Sequence, residues 1–291
     1  MSALACDVVS SSSCPPLSDL QSYVNRVIEY SRSYGVEPAE KRRKLEEMIE
    51  EGLKMLSQAP PRSPPHLHLH ALLISPLRPS DSLPLYEASL KLSARTHGPE
   101  WDDYGEALQQ TSSPLATSAF TKSSTVRGLR CLSTLARLGS DPASSTAHAK
   151  LALTRALKEA DEGEVKECWK SVALANVSGF FGGGEGDLEK ALRAFDLASQ
   201  SDPDVPYNRG VVLEYLERFG QAADAFRDAH GIDPHGIDGG ERAATIDKWL
   251  EKVRDVVGKG GGMKEKRAKQ LVKGLLGRVS PPGSSPPPIT P

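Results

Sequence analysis

Little in this sequence speaks for catalysis, for a covalent staple or for a membrane. Four cysteines stand in 291 residues, Cys6, Cys14, Cys131 and Cys168, with no CxxC spacing. That density is too low for a disulfide scaffold and predicts inert thiols in a reducing compartment. No apolar run approaches the roughly 20 residues of a membrane span. The opening MSALACDVV has no basic stretch before its short apolar run, which Asp7 ends, so no secretion signal is expected and the chain reads as soluble and intracellular. Lys and Arg number 36 against 38 Asp and Glu, a formal charge of -2 that excludes a global polyanion binder. G-x-S-x-G, H-E-x-x-H and H-R-D are absent, which leaves an enzyme without machinery. GFFGGGEGD lacks the GK[ST] of a phosphate loop and reads as an insertion. In HLHLH, His66 and His70 share a helix face, His68 points elsewhere, and no Cys or acidic ligand is close in sequence. No metal and no cofactor is therefore expected.

What the chain holds is helix after helix. Leu20, Val24, Val27 and Ile28 recur at helical spacing until Gly35, and from about Pro38 a second stripe runs through Leu45, Met48, Ile49, Leu53 and Leu56. The two predict a helical hairpin over 17–57, after a disordered N-terminus at 1–16. APPRSPP at 59–65 reads as a turn or linker, because consecutive prolines oppose a helix. No alternating strand pattern follows, so the fold is expected to be all-α.

One phrase is written twice. LEKALRAFDLASQSDP and FGQAADAFRDAHGIDP place Ala191, Phe195, Ala198 and Pro203 in the same register as Ala222, Phe226, Ala229 and Pro234. A-x3-F-x2-A before a proline is the second-helix signature of the tetratricopeptide repeat, in which small residues let two helices approach and the aromatic fills the gap to the neighbour. WDDYGEAL supplies first-helix positions at Trp101, Tyr104, Gly105 and Leu108; Gly210 precedes Ala222, and Trp169 opens a further unit. LYEASLKLSARTHGP fits through Ala88 and Pro99, whereas VRGLRCLSTLARL and AHAKLALTRALKEA are helical without the full signature. The reading is a tetratricopeptide-repeat solenoid over 66–257 with about five units, two of them strong. It is closed by a capping helix that turns Ile246, Trp249, Leu250, Val253 and Val257 inward. At 263–279 Lys264, Lys266, Arg267 and Lys269 alternate with Ala268, Leu271, Val272 and Leu275, a basic amphipathic helix able to neutralise phosphates without reading sequence. SPPGSSPPPITP at 280–291 reads as a disordered, proline-rich tail.

The hairpin, the NRGVVLEYLERFGQAADAFRDAHGIDP repeat and the segment MKEKRAKQLVKGLLGRVSPP, in this order, resemble the tetratricopeptide repeat protein 5 (Strap) family. The likeness spans about 17 to 282 and is weakest between Gln110 and Ala160. Members generally continue into an oligonucleotide/oligosaccharide-binding-type β domain, and this chain reaches prolines where that domain begins. The resemblance implies a non-enzymatic peptide-binding adaptor, cytoplasmic and also nuclear. Its described roles are recognition of the nascent tubulin N-terminus at the ribosome in tubulin mRNA autoregulation, and a coactivator scaffold in stress transcription. A degenerate repeat array without a peptide site stays open beside them.

A Met-Arg-Glu peptide needs carboxylates for its arginine and a base for its glutamate. The resemblance puts these at Arg137, Asp204 and Asp238, the last where the family more usually has Glu. Asn208 and Arg209 match the family's NR and line the same groove, and Lys264, Lys266, Arg267 and Lys269 meet ribosomal RNA. The partners implied are the nascent tubulin peptide and the ribosome, or transcription coactivators, with no membrane and no small-molecule substrate.

Overall fold

The computed structural model describes residues 16–58, 63–94, 96–138 and 142–259, the side chains of 142–146 and 253–259 excepted. The basic helix expected at 263–279, with Lys264, Lys266, Arg267 and Lys269, lies outside the described residues. So do the tail at 280–291, the N-terminal segment but for Pro16, and the side chains of Val253 and Val257. Among the described residues there are thirteen helices and no strand. They divide into two compact units, one holding the first six helices and the other the last seven.

The first unit comprises α1 (Leu17–Arg32), α2 (Pro38–Ser57), α3 (Pro64–Ile74), α4 (Pro79–Ser93), α5 (Glu100–Gln110) and α6 (Ala116–Ser123). Leu20, Val24 and Val27 of α1 are buried in one core with Leu45 and Ile49 of α2 and Leu69 and Leu73 of α3. The Tyr23 hydroxyl lies 2.9 Å from both Met48 O and Glu51 Oε2 and ties α1 to α2. α3 starts two residues earlier than the sequence suggests. Pro64 and Pro65 occupy its first turn, where a helix has no use for the missing N–H groups.

The second unit comprises α7 (Val126–Leu138), α8 (Pro142–Glu159), α9 (Val165–Phe181), α10 (Leu188–Leu197), α11 (Asp204–Tyr215), α12 (Phe219–Ile232) and α13 (Gly239–Lys259). Phe195 of α10 and Phe226 of α12 are fully buried with Val205, Val212 and Leu213 of α11 and with Ala243 and Ile246 of α13. Trp249 of α13 stands edge-on to Phe219, with ring centroids 4.7 Å apart. The glycine-rich insertion folds back on the end of α9. Gly184 N–H donates to Gly179 O at 2.8 Å, and a Cβ on Gly186 would lie 1.9 Å from the Phe180 nitrogen.

Every second helix carries the same buried triplet at i, i+4 and i+7. The series is Leu45, Ile49 and Gly52; Ser82, Tyr86 and Ser89; Ala116, Phe120 and Ser123; Ala149, Leu153 and Ala156; and the two clear repeats, Ala191, Phe195 and Ala198 with Ala222, Phe226 and Ala229. Two positions differ from the sequence reading. In α4 the packed residues are Ser82, Tyr86 and Ser89, at 0, 1 and 5 % exposure, not the frame through Ala88, which is only partly buried. α6 completes the repeat that Trp101 opens, through Ala116 and Phe120. In two of these repeats the large residue meets a glycine on the first helix: a Cβ on Gly105 would stand 2.6 Å from Phe120 Cε1, and one on Gly210 would stand 2.8 Å from Phe226 Cε1.

Candidate functional site

In the second unit α9 packs against α7 and α11, so three first helices lie side by side and expose one shared face. Two charged clusters sit on it, at opposite ends of α9.

At the N-terminal end, Lys170 Nζ is 2.6 Å from Asp202 Oδ2 and 2.9 Å from Asp204 Oδ2, and all three side chains are largely buried. One ammonium serves two carboxylates. The Lys170 pKa is raised, the two carboxylates outweighing its burial. Burial pushes the Asp204 carboxyl above its ordinary range, and Lys170 only partly offsets this while the Asp202 and Asp233 charges add to it. The shorter contact goes to Asp202, so Asp204 holds the weaker share of the cation and the cluster keeps a surplus negative charge.

At the other end the imbalance is reversed. Arg137, on the last turn of α7, is partly buried, and its hydrogen-bond partners are two hydroxyls, each at a long 3.5 Å: Nη1 to Ser178 Oγ of α9 and Nη2 to Thr134 Oγ1. Among the described residues no carboxylate pairs with it. Burial alone brings its guanidinium down to about 10, well below its ordinary range. Lys170 and Ser178 are eight residues apart on one helix, which sets the two clusters about 12 Å apart along its axis.

The remaining expected residues divide. Asn208 is buried one turn into α11 and donates from Nδ2 to the Asp204 carbonyl at 2.8 Å, so it holds the start of α11 instead of lining a surface. Arg209 is turned onto Asp196 of α10, a second helix, with Nε to Oδ1 at 3.0 Å, and the structure does not bring it to Asp204. Asp238 is exposed just before α13, beside the Tyr207 hydroxyl. That hydroxyl also accepts from Arg242 Nη1 at 3.2 Å, and Arg242 is held by Glu214 at 2.8 Å.

Sequence reasoning missed Lys170 and Asp202. A signal existed: a first-helix residue meets its counterpart on the next first helix about one repeat, some 34 residues, further on. Lys170 and Asp204 are 34 apart, Tyr207 and Arg242 are 35 apart, and in the first unit His68 and Asp103 are 35 apart with Nε2 to Oδ2 at 3.0 Å. Polar pairs at that interval mark the seam between first helices.

No protein-family model matches the sequence, and no curated protein is significantly similar to it. Among solved structures the chain is similar to one in the crystal structure of the APC/C hetero-tetramer Cut9–Hcn1, with a TM-score of 0.56 and 16 % identity over 78 % of this chain. The fold is a tetratricopeptide-repeat solenoid. This chain spans only 42 % of the one it matches there. Lower TM-scores relate it to YrrB, described as a TPR protein with an unusual peptide-binding site (0.42, 19 % identity, 70 % of this chain and 97 % of that one). The C-terminal part of a TPR repeat-containing protein from Cytophaga hutchinsonii follows (0.36, 14 %, 92 % and 81 %).

Proposed function

We propose that the second unit is a peptide-binding adaptor whose ligand is an extended segment with a basic and an acidic residue side by side. The observation that carries this is a pair of unbalanced charge clusters along α9: Asp202 and Asp204 sharing the single ammonium of Lys170, and a guanidinium without a carboxylate at Arg137. Each is unfavourable in the free protein, and each is relieved by the opposite charge on a ligand. Neighbouring side chains of an extended peptide diverge to opposite sides, so an Arg–Glu step with its two long side chains spans the distance between the clusters. A guanidinium also gives a carboxylate direction as well as charge, which argues for arginine over lysine at the acidic end.

The finer reading comes from the resemblance: the ligand is the Met-Arg-Glu start of nascent tubulin, met at the ribosome, with Asp238 as a further carboxylate of the groove and Lys264, Lys266, Arg267 and Lys269 reaching RNA. The role is binding, with no reaction to catalyse. Fluorescence anisotropy with a labelled Met-Arg-Glu-Ile peptide tests it. Asp204→Ala and Arg137→Ala should each weaken binding by about tenfold or more, since stripping one partner from a desolvated charge pair costs about 2 to 5 kcal/mol. Replacing the peptide arginine by alanine should erase the effect of Asp204→Ala, and replacing its glutamate the effect of Arg137→Ala. Parent affinity unchanged by either substitution would remove these residues from the site. Tight peptide binding without ribosome co-sedimentation would sink the ribosomal reading and leave the adaptor standing.

A further inference from the structure

We propose that the first unit carries a second docking site, a groove between α4 and α6 that takes an acidic amphipathic helix. α5 packs against both α4 and α6, and between those two second helices a cavity of about 610 Å³ opens to solvent. Its size falls in the range of ligand-binding clefts, roughly 300 to 1,000 Å³. The floor is apolar and aromatic: Leu90 from α4, Trp101 and Tyr104 from α5, and Leu115 at the start of α6, which is 59 % exposed. A leucine so exposed beside two aromatic rings is a surface with nothing over it.

The charges identify the occupant. Lys91 and Lys122 line opposite walls, and among the described residues neither belongs to an ion pair. Lys122 Nζ instead lies over the Trp101 ring, 4.3 Å from its centroid. Glu87, the acidic residue of the lining, accepts a hydrogen bond from the Tyr104 hydroxyl at 2.8 Å. Two ammoniums against this one carboxylate leave the lining net positive over an apolar floor, which calls for carboxylates flanking an apolar stripe.

The shape favours a helix. Both walls are helices, and the α4 wall from Glu87 to Ala94 runs about 10 Å, two turns of helix. An amphipathic helix laid between two others inserts residues at i, i+4 and i+7 and leaves its polar flanks at the rim, where the lysines stand. The cavity is open along this length, which suits a segment of a partner protein better than an enclosed small molecule.

The test uses the full chain and a labelled synthetic helix of about 15 residues, with leucine at i, i+4 and i+7 and glutamate and alanine elsewhere. The parent should bind it, and Lys91→Glu combined with Lys122→Glu should weaken binding at least about tenfold. Ser118→Trp, at an exposed lining position, should block the cavity to a similar extent with an unchanged melting temperature. Asp204→Ala and Arg137→Ala should leave this affinity as it is, which separates the groove from the site on α9. No binding by the parent would overturn the proposal. Equal binding of a control peptide with serine for leucine would reduce it to non-specific charge, and loss of binding in Arg137→Ala would move the probe to the other site.

Discussion

The pair α3 and α4 and the pair α11 and α12 are built to one plan, yet the sequence shows the latter in its true register and the former only in a shifted frame through Ala88. In α12 the buried triplet is Ala222, Phe226 and Ala229; in α4 it is Ser82, Tyr86 and Ser89, equally buried. The serines serve as small residues because their hydroxyls are satisfied at home. Ser82 Oγ donates to Pro79 O within its own helix, and Ser89 Oγ donates to Pro64 O at the start of α3, both at 2.7 Å. A hydroxyl with a backbone acceptor adds little volume and leaves no unpaired group, so serine substitutes for alanine where a carbonyl is within reach. The motif is one of size, and its usual alanines are one way of meeting it.

The largest expected effect tests that equivalence directly. Phe226→Ala and Tyr86→Ala should each destabilise their unit by about 3 to 5 kcal/mol, the range for emptying a fully buried aromatic position. Thermal unfolding of both variants would show it. A Tyr86→Ala protein that melts with the parent would mean that α4 only imitates the packing of α12.

Exchanging the small residues sharpens the same comparison at a lower cost. Ala229→Ser places a hydroxyl at a fully buried alanine position and should cost about 1 to 3 kcal/mol if it finds no acceptor there, whereas Ser89→Ala removes one satisfied hydrogen bond and should cost about 0.5 to 1.5 kcal/mol. Denaturant titration of the two variants decides the order. Should Ala229→Ser prove the milder, satisfaction of the hydroxyl is not what lets serine into the α4 triplet.

The fold was legible where the pattern is carried by size and periodicity, and it faded where chemistry replaced size. Phe195 and Phe226 announce themselves, as does the α1 stripe of Leu20, Val24 and Val27. Ser82 and Ser89 do not, because a serine in a sequence gives no sign of whether its hydroxyl will find a carbonyl. Phe120 was missed for another reason: ATSAFTKS offers a single aromatic without the following proline. Of the proposed site, Asp204 and Arg137 were reached through resemblance, and what the structure adds is their electrostatic state. Lys170 could not be weighed without knowing which carboxylates stand one repeat further on. Arg209 shows the converse, since a matching dipeptide says nothing about which side of a helix its second residue faces.

The smallest expected effect concerns the two ends of α9, where an overcrowded cation faces an unpaired one. Asp204 is held with its pKa above the unfolded value, first by burial. In the window between the unfolded and the folded pKa the native state binds the extra proton, so stability falls as pH rises through that window, and the ionised form works against the fold above it. Asp204→Asn removes this penalty and leaves Lys170 paired with Asp202 at 2.6 Å, a balanced contact. The substitution should therefore change stability at neutral pH by less than about 1 kcal/mol, in spite of the burial, and should remove the part of the pH slope that belongs to Asp204. Melting temperatures of parent and Asp204→Asn followed from pH 7 down into the carboxylate range would display it: the parent should gain on the variant as the pH falls. A variant that loses several kcal/mol at neutral pH would show that Lys170 needs both carboxylates to stay folded in place, and Asp204 would then be a structural partner, with no surplus charge to offer a ligand.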